Sequence, residues 1–516
     1  MRTMLLLAVC LLLPGCSGVL SGGGTPGTPP DGPPPPPTDG QLFLENPPPP
    51  TDGTQPPPSD LGPLPSGPLP TFVNLDWNAF PKDNGPNYPV SGKTIVVKTT
   101  GSDSNPGTDS QPLKTINAAM KKAASGDLIR VHGGTYPEGE QDEFRAIVIT
   151  KSNLIITAAQ GETVTVVGKT SAHTYGICVS TNDVVINGIN LKGFTPIFEL
   201  GNEGGVQRNI VISNLTIEAP THNDFFDGIV NNVNNGGSVV SEGLLVKNVV
   251  IKGVHLPISC GSGPCNDWRM ENLKIIGPGV NGNTNADGVS IAGGDNYLVY
   301  RVEVSEMGGD GIDIKAKRAV VWDCHVHNVA RNGVKLWDGG DMVNTRIHHT
   351  GADASFVTEY GGRYRILHSL IAFHNKGGLT SYNATFGYDS QQAQDIEIIN
   401  SIFYNTSGGT YFNAASQGKV KIENSIFYGM DNGEVIQIGS NLVRLSDGAG
   451  KIKTLGMGDN NYFVDPKLDG STFHLQSGSP AANKGKQLTA TYPKFDCLGQ
   501  PRVKGAAPDI GPFEDF

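Results

Sequence analysis

Charged side chains are scarce in this chain. Asp, Glu, Lys and Arg together make up 17% of its 516 residues, against about a quarter in an ordinary soluble protein. Lys and Arg (38) are outnumbered by Asp and Glu (49), which leaves a net charge of −11. Without a basic excess the chain does not read as a nucleic-acid binder, and an anionic ligand would need a local cation or basic patch. Long helical periodicities are missing. Cysteine is sparse too: after Cys10 and Cys16 come only Cys178, Cys260, Cys265, Cys324 and Cys497. Their odd number leaves at least one unpaired, and no spacing among them suits a metal site. Cys260 and Cys265 could close a small loop in an oxidising compartment or remain thiols, and Cys324 reads as a small core residue.

Glycine is plentiful, at 68 residues, and so is asparagine. Residues 1–16 combine a basic start, an apolar run from Met4 to Leu13 too short to span a bilayer, and the ending Leu13-Pro14-Gly15-Cys16, the pattern of an export signal. The ending resembles a bacterial lipobox, which implies lipidation at Cys16. Residues 17–72 carry the runs Pro33–Pro37, Pro47–Pro50 and Pro56–Pro58. This composition cannot bury a core and reads as a disordered, semi-extended Pro/Gly-rich linker. The expectation is an exported lipoprotein of the outer membrane or cell surface, or a form released from it, with its folded part, residues 73–516, held off the membrane.

That folded part is expected to be all-β. Asp287-Gly288-Val289-Ser290-Ile291, Asp310-Gly311-Ile312-Asp313-Ile314 and Asn332-Gly333-Val334-Lys335-Leu336 repeat one pattern at intervals of 23 and 22 residues, a period that suits stacked coils of a parallel β-solenoid. A second column runs Asn187, Asn214, Asn248, Asn272, Arg301, Asp323, Asn344, His368, Asn400 and Asn424. Asparagine suits a tight bend because it tolerates the left-handed region. Ten such positions predict a single parallel β-helix of about ten coils. A strand at Thr94–Val97, helical spacing over Pro112–Met120 and a strand at Leu128–Val131 predict a capping helix over the first coil. This opening resembles right-handed parallel β-helix proteins of the pectate lyase type. Segments around Phe463–Pro466, Leu475–Pro480 and Pro508–Gly511 are expected to cover the last coil, with Asp465 and Asp509 in structural roles.

Strand alternation points Val289/Ile291, Ile312/Ile314 and Val334/Leu336 inward. Ser290, Asp313 and Lys335 then form an outward column, with Asp287 and Asp310 at the strand entrances. Removing the C5 proton of a uronic acid requires its carboxylate to be neutralised and a base to be held at the carbon. Calcium, which prefers carboxylate oxygens, suits the first task, and lysine can perform the second. The motif core, residues 285–337, resembles polysaccharide lyase family nine. The resemblance implies a calcium-dependent right-handed β-helix lyase in which Asp287, Asp310 and Asp313 hold calcium and Lys335 is the Brønsted base. The family pattern has two adjacent acids before the glycine, whereas here Gly309 stands in the first place. One ligand is therefore missing, with Asp295 or Glu306 as possible substitutes.

Trp337, one outward position past Lys335, could stack on a sugar ring. Arg331 and Arg346, with Arg301, could bind carboxylates or sulfates. His325, His327, His348 and His349 fall on the next face, while Asp224 and Asp227 would extend an acidic groove or form a turn. The expected partner is an acidic polysaccharide, met by a monomer. The alternatives are a glycoside hydrolase using Asp310 and Asp313, or a non-catalytic surface protein that binds glycan along the solenoid.

Overall fold

The computed structural model describes residues 75–76, 78–81 and 90–516, except 139–144, 169–174, 195–196, 202–205, 220–226, 232–239, 262–264, 281–285, 352–353, 374–381, 388–391 and 489–492. The export signal with Cys16, the linker 17–72 and Asp224 lie outside the described residues.

Short β-branched runs separated by turns stack, coil upon coil, into three parallel ladders around one apolar core. Counted among the described residues, here and for the other two faces, face A has twelve parallel strands, from Arg145–Ile149 to Glu434–Ile438. Face B has thirteen, from Thr94–Val97 to Val420–Glu423. Face C has twelve, from Gly134–Tyr136 to Ile426–Tyr428. The strand Asn441–Arg444 turns back antiparallel on Glu434–Ile438 and ends the face A ladder. The stack is thus longer than the ten coils expected. The three rungs missed are the first, where Val97, Val131 and Ala158 occupy the corner filled by asparagine further along.

The asparagine column marks the corner after face B. Asn214, Asn248, Asn272, Arg301, Asp323, Asn344, His368, Asn400 and Asn424 all adopt φ between +47° and +55°. Their side chains also bond along the rod: Asn214, Asn248 and Asn272 each donate to the preceding member (2.7, 2.8 and 2.8 Å), and Asn344 donates to Asp323 (2.9 Å). Asn187 is the exception, since Gly188, at φ +71°, makes that turn. A second left-handed row, which the sequence reading missed, precedes face B: Asn153, Asp183, Asn209, Gly243, Asp267, Asn296, Arg318 and Gly339.

The N-terminal helix spans Ile116–Lys122, a shorter and later segment than the spacing suggests. Thr115 caps it through Ala118 N, while Asp103 holds the amides of Lys114 and Thr115. Leu113 bridges to Val97 instead. Ile116, Ala119 and Met120 close the end of the core, as a capping helix should.

The C-terminal segment departs most from expectation. Rather than covering only the last coil, it runs back along the outside. Leu468, Phe473, Leu475, Cys497, Ile510 and Phe513 pack on Leu370, Ala372, Ile402 and Ile426, which point outward from face C. The turn residues Asn344, Asn400 and Asn424 donate to the carbonyls of Phe495, Lys486 and Lys484, and Arg502 donates to Asn344. Leu75 and Phe80 cover outward residues of face B, among them Tyr300 and Trp322.

Candidate functional site

Face A places the repeated motifs in the expected register. Ser290 pairs with Asp313, and Asp313 with Lys335. Val289, Ile312 and Val334 are buried in the core, which fixes the alternate residues on the outer side. Each motif has as its second residue a glycine packed against the next coil. A Cβ on Gly311 would lie 2.3 Å from Val326 Cγ1 and 2.6 Å from Gly333 O, so only glycine lets the coils close here.

The acids entering these strands come together. One ligand atom from each of Asp287, Asp310 and Asp313 lies within 4.8 Å of the others, and all three residues are buried. All six carboxylate oxygens have partners. Asp287 accepts from Asp310 N (2.8 Å) and Ser290 Oγ (3.2 Å). Asp310 Oδ1 accepts from Asn332 N and Nδ2 (both 2.8 Å), and its Oδ2 accepts from Lys335 Nζ (2.7 Å). Asp313 Oδ1 accepts from Trp337 Nε1 (2.6 Å), while Oδ2 pairs with Lys315 Nζ (3.0 Å). Burial, reinforced by the neighbouring carboxylates of Asp310 and Asp313, pushes Asp287 up to about 6. Burial raises Asp313 as well, against the opposing pull of Lys315 and Lys335.

The donor set fits a hard divalent cation: three clustered carboxylates offer only oxygen. It does not admit a fourth acid. A Cβ on Gly309 would meet Asp287 Oδ1 at 2.5 Å and Ala286 N at 2.8 Å, so the glycine belongs to this packing. Neither possible substitute joins the three. Asp295 is held by Arg318 Nε and Nη2 (2.8 and 2.6 Å) at the entry to face B. Glu306 accepts from Asn328 (3.1 Å) at the corner after face C.

The remaining candidates separate. Trp337 belongs to the site, with Lys315 Nζ 5.3 Å and Lys335 Nζ 5.8 Å from its ring centre and the exposed Tyr360 at 5.9 Å. Arg331 is exposed directly before Asn332. Arg346 does not belong to the site. It follows the Asn344 turn onto face C, is buried, and lies 5.3 Å from the Phe513 ring under the C-terminal segment. Arg301 is fully buried at its turn. The histidines cluster on face C, where His327 is half-buried, His349 is exposed, and His325 and His348 are buried with their Nε2 atoms 2.7 Å apart. Burial pushes both well below the usual histidine range. Asp227 begins a face A strand two rungs before Asp287, and burial raises it to about 6. Cys260 and Cys265 form a disulfide, whereas Cys178, Cys324 and Cys497 are buried thiols.

Sequence reasoning missed Lys315. Its signal was present: it stands two residues beyond Asp313, so strand alternation puts both outward. The register shift between Ile314 and Lys317, where the chain turns from face A to face B, hid how near the two stay.

A family model described as "Right handed beta helix region" matches residues 258–449, and the chain carries a right-handed parallel β-helix. No curated protein matches the sequence. Among solved structures, pectate lyase Pel9A is 15% identical (82% of this chain, 96% of that one, TM-score 0.38). XylC in complex with xylose is 11% identical (82% and 98%, TM-score 0.42). The mannuronan C-5 epimerase AlgE4 A-module of Azotobacter vinelandii is 12% identical (62% and 90%, TM-score 0.39).

Proposed function

We propose that this protein is a polysaccharide lyase that cleaves a uronic-acid polymer by β-elimination, with Lys335 as the base. The observation that carries the reading is the pair of Lys335 and the buried Asp310, 2.7 Å apart, beside the carboxylates of Asp287 and Asp313. These three carboxylates would hold calcium, which when bound supplies positive charge to the substrate carboxylate and so acidifies the C5 proton.

The chain's own residues provide the rest. Lysine accepts a proton only as the free amine, and the hydrogen bond to Asp310 Oδ2 is one its ammonium donates. Charge at Asp310 must therefore be taken up elsewhere before Lys335 can serve. Asn332 holds Asp310 Oδ1 through two donors, which fixes the carboxylate and aims Oδ2 at Lys335. Trp337, anchored through Asp313, forms the wall beside Nζ. At the chain's other end, lipidation at Cys16 and the Pro-rich linker would tether the exported enzyme at a membrane surface.

One observation favours a second reading. Every carboxylate oxygen of the column is already satisfied within the chain, as in a structural polar ladder, which suits a non-catalytic glycan-binding protein. One assay decides between them. The full chain is incubated with polygalacturonate, alginate and glucuronan, with calcium and with chelator, beside Lys335→Ala. A rise in ultraviolet absorbance from unsaturated uronate, lost with chelator and in the variant, is the expected result. Polymer retention without any rise would favour the binding protein.

A further inference from the structure

Charge at the site is layered. The side chains of Asp310 and Asp313 are 2% and 4% exposed, and Lys335 is 13% exposed, but Lys315 reaches 39%. The acids therefore lie beneath, and the group an arriving ligand meets is an ammonium. In a chain of net charge −11, that local reversal needs a reason. Lys315 is also held in place. Asp313 Oδ2 fixes its Nζ at 3.0 Å, and the indole of Trp337 flanks it at 5.3 Å from the ring centre. Asp313 is its single ionic partner among the described residues. An ammonium has three donors, so this pairing leaves capacity for a second anion. Its backbone sits at the register shift between Ile314 and Lys317, an irregularity of the kind that re-aims a side chain.

We propose that Lys315 is a specificity-determining residue: with Trp337 it forms the carboxylate-recognition site at the mouth of the acid–lysine column, and the ligand it selects is a sugar acid rather than a neutral sugar. The role falls to Lys315 rather than Lys335 because Lys335 is 13% exposed against 39% for Lys315 and is the base in the lyase reading. The two lysines beside Trp337 thus divide the work, the deeper one acting at the carbon and the outer one choosing the substituent. This inference rests on the lyase reading for its reaction but not for its binding step.

The test keeps the two apart. Full-length protein carrying Lys335→Ala, which binds without turnover, is run in affinity electrophoresis through polygalacturonate, alginate and glucuronan, and through their carboxyl-reduced forms. Adding Lys315→Gln is expected to weaken retention on the acidic polymer roughly tenfold, to the level of its reduced form, and Lys315→Arg is expected to restore it. In the otherwise native chain, Lys315→Gln is expected to raise KM with little change in kcat. Equal retention with and without Lys315→Gln, or an equal loss on acidic and reduced polymers, overturns the proposal, as does retention on none of them. Lys315-dependent retention with no ultraviolet product from the native chain overturns the lyase reading alone.

Discussion

Faces A and C are built from the same repeat and differ in what their outward side chains meet. On face C the outward row is apolar over its last three rungs, at Leu370, Ala372, Ile402 and Ile426, with Phe473, Leu475 and Phe513 packed on it; the rung before them keeps one buried cation, Arg346, beside the Phe513 ring. Burial pushes His325 and His348 on this face well below the usual histidine range. On face A the corresponding row carries Asp313 and Lys335, flanked by Asp310 and Asp287. A covered surface gains stability by shedding charge. Face A does the reverse, burying three carboxylates beside one another, and burial raises Asp287 and Asp313 above the usual carboxylate range. Such an arrangement is more readily explained by chemistry than by packing.

Substitutions can break or sharpen that contrast. The largest effect is expected from Lys335→Ala, which should lower the elimination rate by roughly 10²–10⁴-fold while circular dichroism stays that of a β-protein. Next is Phe473→Ala in the segment that covers face C, where Phe473 is 4% exposed. Denaturant titration should show a loss of about 3–5 kcal/mol, with kcat unchanged. If this variant lost activity at retained fold, the two faces would not be independent.

Gly309→Asp, which supplies the acid of the family pattern, should cost about 1–3 kcal/mol and lower activity, because its Cβ would stand 2.5 Å from Asp287 Oδ1. Higher calcium affinity together with higher activity would show instead that the coils can part there. The smallest effect is expected from Asp287→Asn in chelator. A carboxyl raised from 3.8 to about 6 is harmless while protonated, and the fold loses stability as pH rises through that range. The amide should therefore stabilise the protein at pH 7.5 by at most about 3 kcal/mol, and by almost nothing at pH 3.5. Melting temperatures at the two pH values check the sign.

The coil pattern was legible because glycine and asparagine are demanded by backbone geometry at fixed points. Gly288, Gly311 and Gly333 mark close coil contacts, and Asn214 to Asn424 mark a left-handed corner. Placing Asp313 beside Lys335 needed only the period and alternation, both of which are local. What was not legible depends on contacts between distant segments. Arg346 looked close to the site by number, yet a turn at Asn344 separates it by one face. The returning C-terminal segment leaves no period to read, because it docks through scattered apolar residues and carbonyls. The corner before face B mixes Asn, Asp, Gly and Arg, and so hides its common conformation.

That returning segment changes how the rod should come apart. Stacked coils that touch only their neighbours unfold piecemeal from either end. Here Asn344, Asn400 and Asn424, with Arg502 across Asn344, tie non-adjacent rungs to one strap. No rung between them can open without releasing that strap, so the amide hydrogens of the described strands between residues 344 and 424 should exchange as a single cooperative unit, later than those of the coils nearer the capping helix.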